Sequence, residues 1–334
     1  MNAPAVLALG GVSLTVAALM LLASVFALTI LRHWDVRSGS ERQLRLERLT
    51  YLIATLVTSC FIAEIIAVLL FVYTAESMSS QFVGAMCATG VLNVNPWGWP
   101  TLLLKLVVAL AGFVWLALNS LDQHAPDYPL VRIKYALLLA ITPLVIAEAG
   151  AQTLFFGGLD PDVITSCCGA LFTPDGGGVA AEVAALSPRH TAWAMMLSAI
   201  ALVLGGVWFL THGRPAGLIP VLGIAAGLIA LAAIVTFIAP YIYEHPEHRC
   251  PFCILKQGHD HIGYLLYLPL FGGIALTLAV GAIAPWRRIP SLAVLAADRG
   301  RRYMIAALAA FALFYTLAAL TLWRSNLSMR GVWW

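Results

Sequence analysis

Residues 217–240, GLIPVLGIAAGLIALAAIVTFIAP, contain no charged side chain and no alternation of polar with apolar positions. A segment of this kind is long enough to cross a bilayer, which takes roughly 20 mainly apolar residues. In lipid every backbone N–H and C=O must be satisfied within the protein, so the span is a helix. Working outward, seven more stretches pass the same test, at about 4–31, 49–74, 100–121, 133–156, 191–211, 262–284 and 303–323. The fold class that follows is all-α: a polytopic membrane helix bundle of about eight transmembrane helices, a single integral membrane domain over 1–334. Composition agrees. Hydrophobic residues make up 61% of the chain and charged residues 10%, against about 45–50% and about 25% in soluble domains, and mean hydropathy is +0.90. A soluble globular enzyme and a disordered chain are excluded. So is an outer-membrane barrel, whose strands alternate apolar and polar residues. The first stretch, MNAPAVLALGGVSLTVAALMLLASVFALTI, lacks a basic leader and a short apolar core. It is expected to be a first span rather than a cleaved signal peptide.

Basic residues set the orientation, because Lys- and Arg-rich loops stay in the cytoplasm. The loops at 32–48, 122–134, 212–216 and 285–302 hold 13 of them, including Arg32, Arg37, Arg42, Arg45, Arg48, Arg132, Lys134 and Arg214. The opposite side holds five: Arg189, Arg249, Lys256, Arg324 and Arg330. Both termini and the loops at 75–99, 157–190 and 241–261 are therefore expected to be exofacial, in a cell inner (plasma) membrane. Trp97, Trp99, Trp193, Trp286, Trp323, Trp333 and Trp334 fall near span ends and read as an aromatic belt. The segment from Pro285 to Arg302 is long enough for an interfacial helix. The lipid bilayer is the first partner implied. No basic stripe interleaved with aromatics is present, so nucleic acid is not one.

Cysteine placement is the strongest chemical signal. Cys60 lies inside the second span, and the other five fall in the three exofacial loops: Cys87, then Cys167 and Cys168, then Cys250 and Cys253. An exofacial compartment is oxidising, so disulfides form there. Five thiols allow at most two disulfides and leave one over. Adjacent Cys167 and Cys168 do not readily bond each other, since disulfide geometry wants Cα atoms roughly 4.4–6.8 Å apart. The third loop, YIYEHPEHRCPFCILKQGHDHIGY, also carries His245, His248, His259 and His261. Cys250-Pro-Phe-Cys253 resembles, over these four residues, the active site of glutaredoxin-type proteins. The resemblance implies thiol–disulfide exchange, with Cys250 attacking and Cys253 resolving. It does not carry the fold, because no βαβ pattern surrounds the motif. A helix starting in this loop would put Cys250 at its N-terminus, where backbone N–H groups favour the thiolate.

The same loop offers half of a thiolate–imidazole metal site, H-x-x-H-x-C-x-x-C, and Met86 beside Cys87 adds a second soft donor type. Three readings follow in order. The first is thiol–disulfide exchange or electron relay through Cys250, Cys253, Cys167, Cys168 and Cys87. The second is binding or transport of copper or another thiophilic metal ion by those cysteines with His245, His248, His259, His261 and Met86. The third is a structural membrane subunit of a larger complex. The partners these readings call for are an exofacial thioredoxin-like or metal-carrying protein and other membrane subunits.

Charges at membrane depth are functional candidates, because they are costly there. Glu64, Lys105 and Glu148, with Gln152 one turn from Glu148, lie in the outer halves of the second, third and fourth spans. They read either as a structural ion pair locking three helices or as a proton or cation path. The three exofacial loops are expected to meet over a shared cleft with these charges beneath. Asn119 and Asp122 read as boundary residues. No Walker A, H-E-x-x-H, G-x-S-x-G or C-x-x-C-H motif is present, which removes ATP hydrolysis, zincin and serine-hydrolase chemistry and c-type haem attachment.

Overall fold

A computed structural model describes residues 4–35, 40–165, 172, 178–214 and 216–334. Eight long helices follow one another, and no strand occurs among the described residues. They are α1 (Pro4–His33), α2 (Glu41–Ser77), α3 (Gly98–Asp122), α4 (Val131–Gly157), α5 (Pro188–His212), α6 (Leu218–Tyr243), α7 (Ile262–Ile283) and α8 (Ala293–Arg324). Each is long and apolar enough to cross a membrane. Large side chains such as Leu14, Leu21, Val25 and Leu28 on α1 and Leu197, Val203, Leu204 and Val207 on α5 are exposed. Apolar surface on this scale is stable only when lipid covers it, so the chain is a multi-pass membrane protein.

Helix ends depart from the sequence reading where polar residues continue a helix instead of starting a loop. α2 begins at Glu41, so Arg42, Arg45 and Arg48 lie on a helix, with Arg45 3.6 Å from Glu41 one turn earlier. The expected separate interfacial helix over 285–302 is absent. Ala284–Arg288 form a 3₁₀ turn, and α8 then runs unbroken from Ala293, with Arg302 3.0 Å from Asp298. Such i,i+4 pairs support a helix beyond the apolar span. Lys134, assigned to a cytoplasmic loop, is inside α4 and 1% exposed.

The chain forms two compact units. The first comprises Met1–Thr74, Asn95–Leu159 and Pro285–Ala297. In it α4 packs on both α1 and α3. Its core takes Met20, Ala27, Val57, Phe61, Val108, Trp115, Leu138 and Val145 from all four helices. Phe61 and Trp115 lie with ring centroids 5.4 Å apart. The Tyr135 hydroxyl donates to the Thr50 carbonyl at 2.9 Å, and Ser24 and Thr142 share a 2.8 Å hydrogen bond. Such interhelical bonds hold helices together where lipid provides no hydrophobic drive.

The second unit comprises Ala75–Val94, Asp160–Ala284 and Asp298–Trp334. Its core joins Phe209, Ile219, Val280, Met304 and Ala307 from α5–α8. α5 starts on Pro188 and stops at Gly213, which adopts φ +69°. That is the Pro-first, Gly-last pattern of helix termini. The α6–α7 contact rests on small residues. A Cβ on Gly223 would lie 2.0 Å from Thr277 Oγ1, and one on Gly227 2.4 Å from Ile274 Cδ1. Gly223 and Gly227 form a G-x-x-x-G, the spacing that lets two membrane helices approach closely. Gly223→Leu is therefore expected to cost at least about 1–3 kcal/mol by overpacking. Gly272→Ala, where a Cβ meets nothing within 4 Å, should be neutral. Denaturant unfolding of the two variants in detergent checks this, and equal midpoints would refute the close-packing account.

Near its exit α6 widens to a π-helix over Ile234–Ile238. Pro240 follows. Proline removes an N–H and crowds the carbonyl four residues back, and π segments absorb such crowding, often beside functional sites. The third cysteine loop begins immediately after.

Candidate thiol cluster and buried charges

In the second unit the stretch from Ala75 to Val94 folds back on itself. Glu76 accepts a hydrogen bond from the Ala88 N–H at 2.7 Å, which orients a short helix over Ala88–Leu92. Cys87 precedes that helix in extended conformation, φ −160°. Gly84 adopts φ +85°, and its missing Cβ leaves room for the Thr165 carbonyl, which a Cβ would meet at 2.2 Å. Thr165 N–H in turn donates to the Val83 carbonyl at 3.0 Å. The loops after α2 and α4 are thereby pinned together.

The loop after α6 is held mainly through its backbone. Glu244, at φ +55°, ends the helix and accepts bonds from Asn326 at 2.8 and 2.9 Å. The Tyr243 hydroxyl donates to the Cys250 carbonyl at 2.5 Å and the Tyr267 hydroxyl to the Pro251 carbonyl at 2.7 Å. The Arg249 guanidinium donates to the Ala184 carbonyl and the Lys256 ammonium to the Met86 carbonyl. The last bond joins the first and third cysteine loops directly.

These anchors bring three sulfurs together. Cys87 Sγ and Cys250 Sγ are 3.5 Å apart, and Thr89 Oγ1 is 3.3 Å from Cys250 Sγ. The sulfurs of Cys87, Cys250 and Cys253 all lie within 4.8 Å of one another. The three residues are 0%, 0% and 5% exposed. An S–S bond is about 2.05 Å, so the described cysteines form no disulfide. The expected helix N-terminus at Cys250 is not formed either. Cys250-Pro251-Phe252 make a turn, and a 3₁₀ helix of only Cys253–Leu255 follows. Pro251 suits a turn better than a helix interior, so the Cys250 sulfur does not begin a helix of its own loop.

The remaining sequence candidates fall outside this trio. The His248 and His259 rings pack on Tyr243, with centroids 4.3 and 4.8 Å away. His261 Nδ1 is 2.6 Å from the Leu255 carbonyl. Burial, reinforced by His248 and Lys256 and opposed by Asp260, holds His259 below the ordinary histidine range. Among the described residues no histidine shares the three-sulfur cluster. Met86 is 64% exposed, and its carbonyl rather than its sulfur makes the bond to Lys256. Cys167 and Cys168 lie outside the described residues. Cys60 is buried in the first unit's core.

In the first unit, Lys105 Nζ is 2.7 Å from Glu148 Oε1, 3.8 Å from Glu64 Oε2 and 3.4 Å from Ser13 Oγ. Gln152 Nε2 donates to Ser13 Oγ at 2.9 Å and to the Leu9 carbonyl at 3.0 Å. Glu64, Lys105 and Glu148 are each 0% exposed. A second buried pair was not foreseen. Lys134 Nζ is 2.7 Å from Asp122 Oδ2 and donates to Asn119 Oδ1 at 3.1 Å, while Asp122 Oδ1 accepts from the Leu130 N–H at 2.7 Å. The signal was available, since Asp122, Asn119 and Lys134 flank one short connection, but a charge next to a loop is ordinarily solvated.

Fold and cluster together define a class: a multi-pass helical membrane protein in which three buried thiols converge from two loops. Comparison with protein-family models, curated protein sequences and solved structures returns no match.

Proposed function

We propose that the chain is an inner-membrane protein that binds a thiophilic metal ion, with copper(I) the natural occupant, through Cys87, Cys250 and Cys253 on the outer face. The observation that carries this reading is the mutual spacing of three buried sulfurs, from 3.5 Å to no more than 4.8 Å. A metal–thiolate bond of about 2.3 Å puts sulfurs roughly 4 Å apart around a shared trigonal ion. An all-thiolate donor set selects soft ions, and three donors without a histidine suit copper(I) better than the four-ligand structural sites of zinc. The cationic Lys256, bonded to the Met86 carbonyl beside Cys87, and Arg249, next in sequence to Cys250, help offset thiolate charge. An exofacial metal-carrying protein is the partner that would load or unload such a site.

Thiol–disulfide exchange is the second reading, favoured by the 3.5 Å contact between Cys87 and Cys250. In that chemistry the Cys250 thiolate attacks the disulfide of an exofacial thioredoxin-like partner and Cys253 resolves the mixed disulfide, so that Cys250 and Cys253 together lose two protons and two electrons and the partner leaves as a dithiol. Burial orders the two readings, because reactive cysteines are ordinarily partly exposed. The test is the metal content of protein purified from copper-supplemented cells, expected to be a single ion per chain. A metal-free protein that traps a mixed disulfide in Cys253→Ser would replace metal binding with exchange. Neither result would leave the third reading, a structural subunit.

The outward placement of the cluster rests on the 13-to-5 split of basic residues. Ile164 and Val294 are 80% and 83% exposed. A membrane-impermeant thiol reagent added to intact cells is expected to label Ile164→Cys above background and to leave Val294→Cys unlabelled. The opposite pattern would invert the orientation.

A further inference from the structure

We infer that Glu64, Lys105 and Glu148 form a proton-binding site inside the first four-helix unit, in which two carboxyl groups share one ammonium and one dissociable proton. Every helix of the unit contributes: Ser13 from α1, Glu64 from α2, Lys105 from α3 and Glu148 from α4. Charge balance calls for the proton. Two carboxylates against one ammonium leave a net negative charge at a site with no solvent exposure. An uncompensated charge within a membrane span is costly, and a single proton removes it.

The neighbouring charges of the same unit supply the contrast. Asp122 and Lys134 are matched one to one; Lys134 also donates to Asn119, and Asp122 accepts from the Leu130 N–H. That pair is neutral overall as it stands and needs no proton. The Glu64 cluster is unequal. Glu148 makes the short contact to Lys105, at 2.7 Å, while Glu64 stands 3.8 Å away. No other donor reaches the oxygens of either carboxyl group among the described residues, so the distance to the ammonium is what separates the two. The proton is therefore assigned to Glu64, with Glu148 ionised. The other groups facing Glu64 are the buried thiol of Cys60, one turn earlier on α2, and Lys105 and Glu148 themselves. A metal cation is a poorer occupant, because the Lys105 ammonium already lies between the oxygens it would need. Binding and release change only an O–H bond. The proton comes from and returns to the aqueous phase, and no electron moves.

This inference is independent of the thiol cluster, and so is its test. Infrared spectra of the full chain in detergent at neutral pH are expected to contain the carbonyl band of a protonated carboxylic acid, shifted in heavy water. Glu64→Gln should abolish the band, and alkaline titration of the unaltered protein should remove it while releasing one proton per chain more than Glu64→Gln does over the same range. Absence of the band in the unaltered protein would overturn the proposal whether or not any variant folds. So would a band that persists in Glu64→Gln, or one that appears only when sodium is replaced by choline, which would assign the place to a metal cation.

Discussion

Lys134→Met is expected to destabilise the protein by about 3–5 kcal/mol, the usual cost of leaving one member of a buried ion pair without its partner. Asp122 is 0% exposed, and the Lys134 ammonium at 2.7 Å is its counter-charge. The Leu130 N–H on the other oxygen satisfies a lone pair but not the charge. Removing the ammonium strands a carboxylate in the end of the bundle. It also removes the donor to Asn119. Asp122→Asn in the same chain should restore much of the loss, since a neutral amide keeps an acceptor for Leu130. Arg45→Met, at a pair 80% and 88% exposed, should change nothing measurable. Unfolding midpoints in mixed detergent read all three. A Lys134→Met protein as stable as the parent would mean that Asp122 reaches water or a proton, and the pair would not hold α3 to α4.

Cys250→Ser is expected to weaken binding of copper(I) by at least about 100-fold, because altering even the residues that only orient metal ligands costs 10–100-fold. Cys250 stands next to both other sulfurs, 3.5 Å from Cys87 and within 4.8 Å of Cys253, and a hydroxyl is a hard donor in place of a soft one. Cys87→Ser and Cys253→Ser should follow closely. His245→Ala should cost only a few-fold, since among the described residues no histidine belongs to the cluster. Affinity should also fall as pH drops, because the thiolates must lose protons to bind. Competition titration with a chelator measures each variant. Histidine substitutions as damaging as the cysteine ones would redraw the ligand set, and Cys250→Ser binding within threefold of the parent would remove the site.

Much of this protein is written locally. A span such as 217–240 satisfies its own backbone and turns its side chains to lipid, so its existence depends on nothing distant in sequence. For that reason the eight helices are legible in the sequence, as is the spacing of the G-x-x-x-G of α6. Helix limits were less so, because i,i+4 pairs such as Arg302–Asp298 extend a helix without any change in hydropathy. The placement of Cys87, Cys250 and Cys253 in loops after α2 and α6 was also legible, as was that of Glu64, Lys105 and Glu148 within spans. Their partners were not. Cys87 and Cys250 are separated by 163 residues, and hydropathy carries no term for which loops touch. The selection of thiols over histidines was decided by backbone anchors, Lys256 on Met86 and Tyr243 on Cys250, that no motif encodes. Lys134 is the clearest case. By position it is a loop cation, and only the packing of α3 against α4 turns it inward onto Asp122, because a buried carboxylate must have its counter-charge.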